Sequence, residues 1–131
     1  MRPVSKKRAA LNHLVKPIRE EYAYEYPKCE VFCCSSDGVD IHEIARGQFR
    51  RKALSEPAAW LHLCRSCHDQ MGWFNVTKQL ALKKMSGSGY DRRAVNLIRN
   101  PKTPDAITEA EVDAEVKWFQ DEPMKALTIC Q

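Results

Sequence analysis

The chain has 131 residues, 44% of them hydrophobic and 29% charged, with a formal net charge of +4. This gives room for one domain with one modest core, and the balance is that of an ordinary globular protein. No apolar run approaches ~18 residues and the basic N-terminus lacks the apolar stretch of a secretory signal, so the expectation is an intracellular, cytoplasmic protein with no membrane partner.

In chain order, "VSKKRAALNHLVKPIREEYAYEYP" reads as a helix with Ser5 as N-cap and a stripe of Ala9, Leu11, Leu14, Val15 and Ile18. Pro17 is expected to kink or divide it, and Pro27 to end it. Residues 29–44 read as a short hairpin, "CEVFCC" and "VDIHEI" around the turn "SSDG". Residues 45–56 form a basic loop or short helix, and "AAWLHLC" a strand. "DQMGWFNVTKQLALKKM" carries a helical pattern despite Gly72, until "SGSG" at 86–89 breaks it. "DRRAVNLIRN" is a helix capped by Asp91, and "TEAEVDAEVKWF" a final helix opened by a capping box of Thr108 with Glu111. The expected class is a small α+β fold. A basic N-terminal helical arm covers 1–28, a cysteine-bearing core 29–85 and a helical extension 86–131.

Charge is distributed unevenly. Residues 1–19 hold six Lys or Arg and no acid, 46–52 add Arg46, Arg50, Arg51 and Lys52, and 83–102 add six more against Asp91. Acid collects between Asp105 and Glu122. Three basic segments suggest a polyanionic partner met by Lys6, Lys7, Arg8, Arg46, Arg50, Arg51 and Lys52. The plainer reading is a set of solvated faces.

Six cysteines in an intracellular chain favour metal ligation over disulfides. Cys64 and Cys67 stand at C-x-x-C spacing, a turn that aims two thiolates at one ion and leaves backbone amides to bond the sulfurs. The second pair is Cys29 with Cys33 or Cys34. Four thiolates suit a tetrahedral Zn2+ that would supply much of the folding free energy of so small a domain. Cys130 is a bystander; with Cys33 it offers the spare thiols of a redox-sensing protein.

A zinc with four sulfurs does no chemistry, so any reaction must come from groups outside it. His42 and Glu43 follow the first cysteine pair and His68 follows the second. Two imidazoles and a carboxylate can hold a divalent ion with open positions, or the carboxylate can take a proton from attacking water. Equally, all three can be ordinary polar neighbours of a structural zinc.

The order C…C, "IHEI", "LHLCRSCH", then a helix, resembles the HNH endonucleases of ββα-metal fold. The closer likeness is to phage and prophage members that carry a zinc held by four cysteines. "SKKRAALN…EYPKCEV" before this core and "YDRRAVNLIRN…ITEAEV" after it look like the flanks of such proteins. The resemblance implies Cys34 as the mate of Cys29, through a "C, four residues, C" knuckle. By position it puts His42 and His68 on a catalytic Mg2+, Mn2+, Ni2+ or Zn2+, and Glu43 where the family holds its histidine base. The family's middle asparagine falls near Ala59, with His62 as a substitute or the role lost. A second register has Asp40 on the metal and His42 as base. The function implied is a metal-dependent endonuclease hydrolysing DNA in a bacterial host cell. The alternative is a degenerate module of the same fold that binds DNA or a protein without cleavage.

Overall fold

The computed structural model describes residues 6–44 and 50–121. Helix α1 (Lys6–Glu25) runs unbroken through Pro17. The expected division does not occur, because Pro17 lies on the exposed side of the helix and the carbonyl it frees can reach water. Val15 and Tyr22, seven residues apart, make the buried stripe, while Leu14 and Ile18 are exposed at 69% and 39%. Ser5 lies outside the described residues.

The hairpin expected across residues 29–44 is corrected. As a strand, "CEVFCC" would hold Cys29 and Cys34 about 16 Å apart. Instead the Cys34 amide donates to the Val31 carbonyl at 2.8 Å, and the segment turns. An isolated bridge between Lys28 and Asp37 is all the pairing that remains on that side. The partner of β1 (Asp40–Glu43) lies beyond α2 (Arg50–Ala53): it is β2 (Trp60–Leu63). The two strands run antiparallel, with Asp40 opposite Leu63 and Glu43 opposite Trp60. All four residues of β2 are buried, so the more apolar segment takes the interior position. Gly38 lies under the His62 ring; a Cβ there would fall 2.5 Å from Nδ1, so no side chain fits.

After β2 the chain enters α3 (Arg65–Gln70), a tight turn at Met71–Trp73, and α4 (Val76–Ser86). The single helix expected over "DQMGWFNVTKQLALKKM" is therefore two. Phe74 is extended, and the Asn75 side chain accepts from the Lys78 amide to cap a new helix. Gly87, at φ 72°, closes α4 in the left-handed region that favours glycine. Helix α5 (Arg92–Arg99) is capped by Asp91, and α6 (Glu109–Asp121) opens with the Thr108–Glu111 box, both as expected. Helix α6 lies along α4, and its Phe119 meets Phe74 and Phe32 edge-on at 5.4 and 5.9 Å.

One carboxylate ties these parts together. Glu30 is buried in the knuckle and receives the Tyr22 hydroxyl of α1 at 2.6 Å, the His62 amide of β2 at 2.5 Å and the Ser86 hydroxyl of α4 at 2.9 Å. Ser88 donates to it as well. Lys83, with no exposed surface, donates to the Tyr22 hydroxyl at 2.7 Å. A buried cation left without its counter-charge costs roughly 3–5 kcal/mol. Glu30→Gln should lower the unfolding free energy by about 3 kcal/mol in a denaturant titration while the metal content stays unchanged.

The same cluster sets a pH dependence. Burial holds Lys83 down at about 8, below its ordinary 10.5, so between these values the unfolded chain binds more protons than the folded one. Stability then rises with pH. Tyr22 is raised by burial and by Glu30 above its ordinary 10.0, so at higher pH it acts the other way. Unfolding free energy should climb from about pH 8 to 10 and then fall, and Lys83→Met should flatten the climb.

Candidate metal centre and adjoining histidine site

Turning the 29–34 segment back on itself puts its sulfurs beside the N-terminus of α3. The Sγ atoms of Cys29, Cys34, Cys64 and Cys67 all lie within 4.8 Å of one another and could hold a metal ion. Bonds of ~2.3 Å to a tetrahedral ion would space sulfurs by about 3.8 Å. Cys34 and Cys64 are 3.8 Å apart. Cys64 is also the N-cap of α3, its sulfur accepting from the Cys67 amide at 3.4 Å, which is the amide bond that C-x-x-C spacing provides. The Cys29 thiol is held down at about 5, first by its hydrogen bond with Cys67 and then by backbone amides. Burial pushes the Cys64 thiol the other way, up, so without a cation the cluster favours thiolate at Cys29 and thiol at Cys64. Cys33, half-buried, stands outside the cluster, and Cys130 lies outside the described residues. Among the described residues, these four cysteines are the only group of three or more Cys, His, Asp or Glu placed to share an ion.

The sulfur cluster flanks both strands, and strand alternation then sorts the polar side chains of β1 onto two faces. Asp40 and His42 share one face with Leu61 and Leu63, while Ile41 and Glu43 share the other with Trp60 and His62. On the first face the His42 and His68 rings meet edge-on, centroids 5.5 Å apart. His68 Nδ1 lies 3.9 Å from Asp40 Oδ2, and Arg65 Nε lies 3.1 Å from the same oxygen. Both His68 Nδ1 and Asp40 Oδ2 are buried, and neither closes a hydrogen bond among the described residues.

Gln79 of α4 orients His42. Its amide nitrogen donates to the Phe74 carbonyl at 2.8 Å, which turns Oε1 toward His42 Nε2 at 2.7 Å. Nε2 therefore carries the proton, and the lone pair of a neutral ring resides on Nδ1. Nothing in the sequence marks Gln79 for this role, because it depends on where α4 restarts after Phe74.

Glu43 is on the opposite face. Its Oε1 lies 3.6 Å from Arg19, whose guanidinium stands 4.9 Å above the Trp60 ring. Together with Ile41 and α1 it lines a cavity of about 520 Å³ that does not include His42. His62 shares this face, its Nδ1 2.8 Å from the Tyr26 carbonyl, and Ala59 is buried before β2. The structure thus brings together Asp40, His42 and His68, and sets Glu43 and His62 apart from them.

Of the residues expected to meet a polyanion, Lys6 and Lys52 are exposed at the surface. Arg46 lies outside the described residues, as do the side chains of Lys7, Arg8, Arg50 and Arg51. The basic segment 83–102 is largely neutralised from within. Lys84 pairs with Glu109 and Asp113, Arg92 with Asp105 and Glu109, and Arg93 with Asp105. Compared with known protein families, curated proteins and solved structures, the chain matches none.

The cluster makes a selective expectation. Cys34→Ser should release metal measured by elemental analysis of protein purified without chelator, whereas Cys33→Ser should retain it in full, although the two residues are adjacent.

Proposed function

We propose that this chain is a metal-dependent endonuclease of HNH type that hydrolyses DNA phosphodiesters, built on a ββα-metal core in which β1, β2 and α3 are the ββα unit. In this reading the four cysteines hold a structural zinc, the ion that suits four thiolates in a tetrahedral cage. The observation that carries the reading is the facing pair of buried ligand atoms, Asp40 Oδ2 and His68 Nδ1, 3.9 Å apart. A buried imidazole nitrogen left without a partner costs on the order of 1–3 kcal/mol, and a divalent cation between it and the carboxylate, which also pairs with Arg65, removes that penalty.

Asp40 and His68 would hold that ion, which when bound supplies charge to the scissile phosphate and to the departing oxygen. His42 is the base. Its Nδ1 lone pair takes the proton of the attacking water, while Nε2–H stays anchored on Gln79, so the ring keeps its tautomer and its aim. The arrangement favours the register of Asp40 with His42 over the one that makes Glu43 the base, because Glu43 faces α1 and is engaged with Arg19. Lys6 and Lys52, with the neighbouring basic residues of both segments, supply sequence-independent backbone contacts.

Supercoiled plasmid with added Mg2+ or Mn2+ tests this. Wild type should nick it. His42→Ala should lose at least ~100-fold in rate with DNA binding retained, the usual worth of a positioned base. Asp40→Asn and His68→Ala should lose activity while keeping the cysteine-bound metal, and Glu43→Gln should nick at close to the wild-type rate. A dead Glu43→Gln with an active His42→Ala would restore Glu43 as base. Binding without nicking under any divalent ion would leave a DNA-binding module.

A further inference from the structure

Beside His42 a cavity of about 300 Å³ opens between the turn after α3, the start of α4 and the end of α5. Gly72, Phe74, Asn75 and Gln79 line it, and Arg99 reaches it from α5. A second cavity of about 310 Å³, lined by Asn96, Asn100 and Thr103, shares Arg99 as a wall. Arg99 is thus the hinge of a track that starts at the proposed base and continues across the end of α5.

The charge pattern leaves two exposed cations of the basic segment 83–102 without an acidic partner among the described residues, Arg99 and Lys102, and of these Arg99 lines the track. Lys84, Arg92 and Arg93 are spent on the acids of α6 and the loop before it, and Lys83 is buried on Tyr22. Among the described residues Arg99 is exposed and has no acidic partner. Asn96 and Asn100 are engaged in shaping the wall, the first with Ile107 and the second with the Lys102 amide, which leaves Arg99 as the charged group on the track. Trp73, with 81% of its surface exposed, belongs to the turn whose Gly72 and Phe74 line the cavity. A large aromatic face in water, on the turn that lines a groove walled by a cation, is the pairing that holds unpaired nucleic acid, one group for the base and one for the phosphate.

We propose that this track seats an unpaired DNA strand, with a phosphate on Arg99 and a base stacked on Trp73, so that the preferred substrate presents single-stranded DNA to His42. A cavity of this size admits one nucleotide and not the width of a duplex, and the bases of a duplex, stacked on each other, offer Trp73 no face. The inference rests on the nuclease reading for its substrate, but the seat is tested by binding alone.

The full-length protein is titrated, without added divalent ion, into a fluorescein-labelled oligothymidylate of about a dozen nucleotides and into a duplex of equal length. The single strand should bind more tightly. Trp73→Ala should weaken single-strand binding by about 5- to 100-fold and leave duplex binding unchanged, with Trp73→Phe restoring most of it. Arg99→Ala should lower the log–log salt slope on the single strand by about 0.7, one phosphate contact, and Arg99→Lys should keep it. Both side chains are exposed, so circular dichroism should be that of wild type. Single-strand binding unaltered in Trp73→Ala and Arg99→Ala, an equal loss on the duplex, or no single-strand binding by wild type would each overturn the seat. A wild type that nicks plasmid while both variants bind normally sinks the seat and spares the nuclease; the expected binding losses in a protein that never cleaves do the reverse.

Discussion

The buried carboxylate of Glu30 is the constraint on which the other contacts depend. A carboxylate removed from water must find donors for both oxygens, and here they come from a helix hydroxyl, a strand amide and two serines. Those donors belong to α1, β2, α4 and the loop behind α4. Because Glu30 adjoins Cys29, satisfying the carboxylate also places the first sulfur. The knuckle is thereby held against β2 before any ion is considered, and the pair Cys64–Cys67 sits at the end of that same strand. The hydrogen-bond hub and the sulfur cluster are two halves of one clamp.

From this clamp the functional geometry follows through strand alternation. With β2 buried on both faces, β1 has an α1 side and an α3–α4 side, and neighbours in sequence are separated by the thickness of the sheet. That separation sends Glu43 to Arg19 and Trp60, and sends Asp40 and His42 toward His68 and Gln79. Two polar groups adjacent in "HE" therefore work in different environments. Two groups separated by Ile41 work in the same one.

Helix α6 has a double role. Its apolar side completes the core through Val112 and Phe119, and its acids neutralise Lys78 and Lys84 of α4 and Arg92 of α5. An ion pair at the surface contributes little to stability. Its consequence here is spatial: the positive charge that remains unmatched on this half of the molecule is concentrated near the end of α5, beside His42.

Local chemistry was legible in the sequence. The C-x-x-C turn, the caps Asp91 and Thr108 with Glu111, the glycine break at 86–89 and the apolar strand "WLHL" depend on neighbours a few residues away, so spacing alone declares them. The convergence of Cys29 and Cys34 with the second pair also followed from spacing together with the family resemblance. Three matters were decided only by tertiary structure. Which strand pairs with "DIHE" depended on burial, since β2 lies seventeen residues beyond the end of β1 and outcompetes the nearby turn. Whether Asp40 or Glu43 stands with the histidines depended on which face of β1 meets α3, and no residue of β1 states that by itself. Which cations stay unmatched depended on where α6 lies. In each case the deciding contact joins residues far apart in the chain, and its energy exists only once both sides are in place.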